Sequence, residues 1–246
     1  MGKYKLIALD MDGTFLTEEK TVSAENRKAI EAAAAAGVTV MFATGRGIPN
    51  VMPYVEELGL QSPIVTVNGS EVWSAPKQLH SRTFLEPELV KSMREIAQKY
   101  DTWYWAYAVN GIYNKERWTT ELLETEQWLK FGYYYEDEVS LKAIHDQLVS
   151  WGQLEITNSH PCNIELNPKG VSKASGLHVV CGLLGIDMSQ VIAMGDSLND
   201  VSMIREAGLG VAMGNAQDAV KSLADVVTGT NEEHGVAQII EKYVLS

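Results

Sequence analysis

At 246 residues the chain is long enough for one large domain or two modest ones, and 46% hydrophobic with 21% charged residues is an ordinary globular composition that excludes disorder. A formal net charge of −12 argues against nucleic acid or an anionic membrane as partner, yet leaves room for a small phosphorylated metabolite, because local donors and a bound cation override a distant field. No stretch approaches the ~20 apolar residues of a membrane span and no obligate protein partner is evident, so a cytoplasmic placement is expected; Cys162 and Cys181 are read as packed thiols, without disulfide or metal spacing.

Leu6 to Leu9 reads as a buried strand of a parallel sheet, where ligands bind beyond the carboxyl ends of strands. Asp10-Met11-Asp12-Gly13-Thr14 follows at that end. In an extended segment residues i and i+2 point the same way, so Asp10 and Asp12 would face one point while Gly13 lets the backbone turn away. Metal binding, covalent catalysis by one carboxylate and proton transfer by the other are the functional readings; a solvated acidic turn is the plain one. Ser23 is placed to cap a helix through Ala36, which Gly37 stops. Val38 to Ala43 reads as a second strand ending at Thr44-Gly45-Arg46. A helix over about Pro49 to Leu58 and a third strand, Ile64 to Val67, ending at Asn68-Gly69, continue the rhythm of a parallel sheet. Thr44 then shares an edge with Asp10, where its hydroxyl either contacts a ligand or caps a helix.

The pattern changes near Ser81. Pro87 opens a helix to about Lys99, and the aromatic run Trp103 to Val109 reads as a strand that turns back at Asn110-Gly111 through Ile112-Tyr113-Asn114. Residues 119 to 138 are expected to be helical up to Phe131. Leu141 to Trp151 has helical periodicity, and Leu154 to Asn158 with Ile164 to Leu166 looks like a second antiparallel pair. The α-β-β repeat implies a separate small domain over residues 82–168, inserted into a core formed by residues 1–81 and 169–246. Its tryptophans, Trp103, Trp105, Trp118, Trp128 and Trp151, offer either a ring-stacking substrate pocket or a core, and most of them are expected in the core. The five histidines are scattered and read as structural or exposed.

The parallel pattern then resumes. Val171 to Leu184 is an amphipathic helix with Lys173 near its start and Gly185 at its close, and Val191 to Met194 is a strand delivering Gly195-Asp196-Ser197-Leu198-Asn199-Asp200, a second acidic turn. Leu209 to Met213 and Val226-Val227 read as further strands, separated by a helix capped by Asn215, and a last helix spans about Gly235 to Tyr243.

The motifs D-M-D-G-T, A-T-G-R, a helix-initial lysine and G-D-S-L-N-D, in that order, resemble the haloacid dehalogenase superfamily of phosphatases, and the insert resembles the α/β cap of its Cof-type branch. The resemblance covers essentially the whole chain and implies an α/β fold: a Rossmann-like parallel core with an inserted α+β cap. It further implies Mg²⁺-dependent hydrolysis of small phosphomonoesters, such as sugar phosphates or phosphorylated cofactors, through an aspartyl phosphate. On that pattern Asp10 is the nucleophile and Asp12 the acid and base; Asp10, the backbone carbonyl of Asp12, and Asp196 hold Mg²⁺; Thr44, Lys173 and Asn199 hold phosphoryl oxygens. Asp200, Gly45 and Arg46 are expected just outside, Asp200 orienting Lys173 or a metal-bound water and Arg46 meeting substrate, cap or solvent. Phosphoryl transfer between sugar hydroxyls is an alternative, and so is a non-catalytic phosphometabolite-binding regulator, although such a module has no need of an acid at Asp12.

Overall fold

The computed structural model describes residues 2–246. Strand β1 (Leu6–Leu9) is buried along its whole length. Helix α1 (Ala24–Ala35) is capped by the Ser23 hydroxyl, which accepts from Asn26 N at 3.2 Å, and Gly37 stops it at φ +82°. Strand β2 (Thr39–Phe42) runs parallel to β1, and α2 (Met52–Glu57) follows a short 3₁₀ turn.

Strand β3 (Ile64–Thr66) departs from the expected pattern. It touches the main sheet through a single parallel bridge, Ala43 to Val65, and otherwise pairs antiparallel with β4 (Glu71–Ala75), which pairs with β5 (Gln78–Arg82). The cause is local: Val67, Asn68 and Gly69 all have positive φ (52°, 56° and 103°), which reverses the chain at once.

The insert has its own sheet, in the order β7-β6-β8-β10-β9. Helix α3 (Pro87–Tyr100) leads to β6 (Trp103–Ala108) and β7 (Gly111–Asn114), the hairpin expected at Asn110-Gly111. A single short turn of helix, α4 (Leu122–Thr125), precedes β8 (Trp128–Tyr134), so the helix expected up to Phe131 is replaced by the central strand of the cap. Six successive buried positions carry no alternation, and Lys130 and Gly132 disguise the run as something other than a strand. Helix α5 (Glu138–Trp151), β9 (Leu154–Thr157) and β10 (Asn163–Pro168) complete the unit. Tyr104, Ala106, Phe131, Tyr133, Ile164 and Leu166 pack with α3 and α5 in one cluster. The opposite face of the sheet turns toward the core domain. Trp128 lies in the cap core, with Trp118 and Trp151 at its margin, as expected, whereas Trp105 faces the core domain's cavity and Trp103 is 38% exposed.

Beyond the insert, Ser172 and Ser175 form a capping box at the start of α6 (Lys173–Leu184). Strand β11 (Val191–Gly195), α7 (Val201–Glu206), β12 (Leu209–Ala212), α8 (Asp218–Lys221), β13 (Val226–Val227) and α9 (Gly235–Tyr243) close the core. Its sheet is wholly parallel, in the order β13-β12-β11-β1-β2, with one apolar cluster on each face. Asn215 does not cap α8. Its amide instead donates to Gly13 O at 2.8 Å and accepts from Asn231 N at 3.0 Å, tying the first acidic turn to the C-terminal loop. Both cysteines are free, but only Cys181 is buried; Cys162 lies partly exposed in the β9–β10 loop. No helix among the described residues is long and apolar enough to cross a membrane.

Candidate active site

The central strands β1, β2 and β11 end side by side, which brings the turns carrying Asp10, Thr44 and Asp196 to one edge. Asp10 N donates to Met194 O at 3.0 Å, extending the β1–β11 pairing by one residue before the chain turns. Gly13 permits the turn for two reasons. Its φ is +74°, and a Cβ there would come 2.8 Å from the Asp196 carboxylate.

Asp10 and Asp200, both buried, form with the partly exposed Asp196 a carboxylate cluster in which one oxygen of each lies within 4.8 Å of the others. Lys173 Nζ, fully buried at the first turn of α6, donates to Asp10 Oδ1 at 2.5 Å and to Asp200 Oδ1 at 2.6 Å. The other Asp200 oxygen accepts from the backbone N–H groups of Asp196 and Ser197 at 3.0 and 3.1 Å. Asp200 therefore uses both oxygens within the chain, holding Lys173 and bracing the turn that presents Asp196. Asp196 accepts from Thr14 Oγ1 at 3.1 Å and Ser197 Oγ at 2.8 Å.

The electrostatics leave negative charge in excess. Burial, then the Asp200 charge, push the Asp196 carboxyl up to about 6. Burial also drives Asp10 well above the carboxylate range, more than the Lys173 ammonium lowers it. Lys173 is raised, its burial outweighed by Asp10 and Asp200. Three carboxylates around one ammonium leave the cluster one cation short, and Asp10 and Asp196 offer oxygen ligands that fit a divalent metal ion.

Asp12 lies in the same cavity but in a different setting. It is half exposed and held by Arg46 and Lys20 rather than by Lys173. Burial pushes its carboxyl up, but the hydrogen bonds from Arg46 and Lys20 win and hold it at about 2. The first acidic turn thus separates two carboxylates of opposite character two residues apart. Arg46, expected at substrate, cap or solvent, pairs with Asp12. Thr44 Oγ1 accepts from Arg46 N at 3.2 Å, so it braces that turn while still lining the cavity.

The cavity is about 360 Å³ and has two walls. The core wall holds every residue singled out from the sequence except Lys173 and Asp200, which lie directly behind it. Of the cap wall, Trp105, Tyr107, Lys130, Ser159, Asn163 and Glu165, the sequence points to Trp105 alone, as one of several rings able to stack on a ligand. Lys130 Nζ donates to Gly45 O at 2.9 Å and lies 3.3 Å from Glu165. Asn68 was likewise missed; its amide bonds Glu165 and Asn199. One signal was available: Asn163, Glu165 and Asn167 alternate with Ile164 and Leu166, a period-two polar face, and all three polar residues are buried.

A sequence model described as haloacid dehalogenase-like hydrolase matches residues 7–146 and 118–240. The chain belongs to that family. A relative from Bacillus subtilis, 5-amino-6-(5-phospho-D-ribitylamino)uracil phosphatase YcsE, is 46% identical over 241 residues, covering 98% of this chain and 96% of that one. The pyridoxal phosphate phosphatase YbhA of Escherichia coli is 28% identical over 273 residues, covering 98% and 99%. A solved haloacid dehalogenase-like hydrolase from B. subtilis superposes with a TM-score of 0.88 at 27% identity, over 98% of this chain and all of that one, core and cap together. The family expected from the four motifs, its α/β core and its antiparallel cap are therefore present, in an enzyme of the phosphatase type.

Proposed function

We propose that this chain is a Mg²⁺-dependent phosphatase acting on the phosphomonoester of a small polar metabolite through a phosphoryl-Asp10 intermediate. The observation that carries the reading is the placement of Asp10, fixed by Lys173 in the carboxylate cluster, in one cavity with the differently held Asp12. Asp10, Asp196 and the Asp12 backbone carbonyl would hold Mg²⁺, which supplies charge neutralisation for the phosphoryl oxygens. Lys173, Thr44 and Asn199 orient those oxygens, since phosphoryl transfer depends mainly on positioning and charge stabilisation. Asp10 attacks phosphorus as the bond to the leaving oxygen breaks, and Asp12 delivers the proton that this oxygen takes up. Asp12, now ionised, accepts a proton from the water that attacks phosphorus, releasing phosphate and restoring Asp10.

Residues 82–168 act as the cap that excludes water and selects the leaving group. Trp105 and Tyr107 offer ring faces and Lys130 a buried cation, which suits a sugar phosphate or a phosphorylated cofactor with a flat ring. The substrates named for the relatives, a ribitylaminouracil phosphate and pyridoxal phosphate, are of this kind. Phosphate release from an aryl phosphate, and then from a panel of these two compounds and hexose phosphates, each with and without Mg²⁺, tests the proposal. Release from the aryl ester with a strong preference within the panel is expected. No release from any ester in Mg²⁺ would overturn it.

A further inference from the structure

Among the hydrogen bonds that join the cap to the phosphate end of the core, such as Lys130 Nζ to Gly45 O and Asn199 N to Asn158 O, one chain runs through side chains alone, and its direction can be deduced. It starts at Glu165 on β10, only 4% exposed, where Ser159 Oγ donates to Oε1 at 3.0 Å and Asn68 Nδ2 to Oε2 at 2.6 Å. The Lys130 charge beside it, 3.3 Å away, together with the Asn68 and Ser159 bonds, outweighs burial and keeps the carboxyl below its ordinary range. An ionised carboxylate accepts and has no proton to give. Asn68 must therefore present its NH₂ to Glu165 and its carbonyl oxygen to the opposite side. That oxygen takes a hydrogen from Asn199 Nδ2 at 3.2 Å, which fixes the second amide in turn. Asn199 is left with one amide hydrogen and a buried Oδ1 that has no partner among the described residues, and it lines the cavity. The backbone holds Asn68 ready for this: its φ of +56° is a left-handed conformation that asparagine tolerates, and its N–H is bonded to Thr44 O at 3.0 Å.

We infer that Glu165 is a positioning residue that acts through Asn68 to orient the Asn199 amide toward the phosphoryl group, so that the phosphate end of the core is complete only with the cap seated on it. The inference rests on the phosphatase reading of the cavity and adds to it a cap residue that works without touching phosphate. The plain alternative, that Glu165 and Lys130 are merely a buried ion pair stabilising the interface, moves stability and leaves phosphate affinity alone.

The test is calorimetric binding of inorganic phosphate, in Mg²⁺ buffer, to the full chain and to Glu165→Gln, Asn68→Gly and the double variant. A glutamine can donate and so releases the direction of Asn68, whereas glycine suits the left-handed backbone and removes the link. Each single change weakens phosphate about fivefold to tenfold, the effect of one oriented hydrogen bond. The double variant weakens it no further than the worse single, because both cut the same chain. KM for an aryl phosphate rises alongside. Gln217→Ala serves as the control. It breaks another bond between core and cap, from Gln217 Nε2 to Asn158 Oδ1 at 3.1 Å, and leaves phosphate affinity unchanged. If Glu165→Gln does not fold, Glu165→Asp replaces it, keeping the charge while losing the reach. Additive losses in the double variant, unchanged affinity in folded single variants, or an equal loss in Gln217→Ala each overturn the inference. Wild-type turnover of the aryl ester reports the phosphatase reading separately, so turnover with unmoved phosphate affinity in the variants defeats the relay alone.

Discussion

Arg46 grips Asp12 with two arms of its guanidinium: Nε donates to Oδ2 at 2.7 Å and Nη2 to Oδ1 at 2.7 Å. Such a fork favours the ionised carboxylate, and with Lys20 2.9 Å from Oδ1 it holds Asp12 at about 2, below the ordinary 3.8. On the proposed mechanism that state suits Asp12 as a base, and its service as an acid would require the fork to loosen when substrate enters.

Arg46→Met should let Asp12 titrate nearer 3.8, which carboxyl NMR on the metal-free protein can follow. Because the folded value is depressed, the interaction stabilises the fold fully above the unfolded value and is lost as pH falls through about 2. The variant's stability deficit at neutral pH should therefore shrink on acidification. A deficit that persists at pH ~2 assigns the effect to packing of Arg46 on the Tyr54 ring, 5.3 Å away.

The two carboxylates of the first turn should separate by role. Asp10→Asn abolishes turnover, because a neutral amide cannot attack phosphorus. Asp12→Asn keeps the nucleophile and loses proton transfer, a factor of roughly 10² to 10⁴ that grows with the basicity of the leaving alcohol. With an activated aryl phosphate the second variant should show a burst of phenol and a trapped phosphoryl-Asp10 by rapid quench and intact mass. An Asp12→Asn loss independent of the leaving group, with substantial turnover left in Asp10→Asn, would falsify this assignment.

The proposed metal dependence should carry a pH signature. Asp196 sits at about 6 without metal, and a cation binds its ionised form, so apparent Mg²⁺ affinity should fall by up to about tenfold per unit as pH drops below that value. Isothermal titration between pH 5 and 8 measures this. Asp196→Asn should weaken the metal and flatten the profile, and excess EDTA should stop turnover. Full turnover in EDTA would remove the metal from the mechanism.

Gly132 stands opposite Trp105 across the β6–β8 pair, and a Cβ at 132 would lie 2.4 Å from the indole. Gly132→Ala must displace that ring, at a cost of about 1–3 kcal/mol. Selectivity among phosphate esters should change more than aryl phosphate turnover, with a shift in tryptophan emission. Unaltered substrate ranking in a folded variant would show that Trp105 does not read the leaving group.

Much of the core was legible. Apolar runs ending in Asp10, Thr44 and Asp196 announce parallel strands because a strand buried on both faces has no polar alternation, and Asn110-Gly111 announces a hairpin because few residues accept its backbone. The same rule fails at β8, where a continuous buried run containing Lys130 and Gly132 reads as helix, and at β4–β5, where the polar segment Gln78–Arg82 gives no strand signal.

By itself the sequence determined which residues stand at the carboxyl edge of the sheet, because a turn follows its strand by local covalent geometry. Tertiary structure alone decided what those residues do to one another: that Lys173 reaches Asp10 and Asp200 across 163 and 27 positions, that Arg46 takes Asp12, and that Glu165 directs Asn68 across 97. Contacts at such separations depend on how core and cap pack together, and pairing energies between buried charges fall steeply with distance, so an ångström of packing that no local pattern encodes sets the chemistry of each carboxylate.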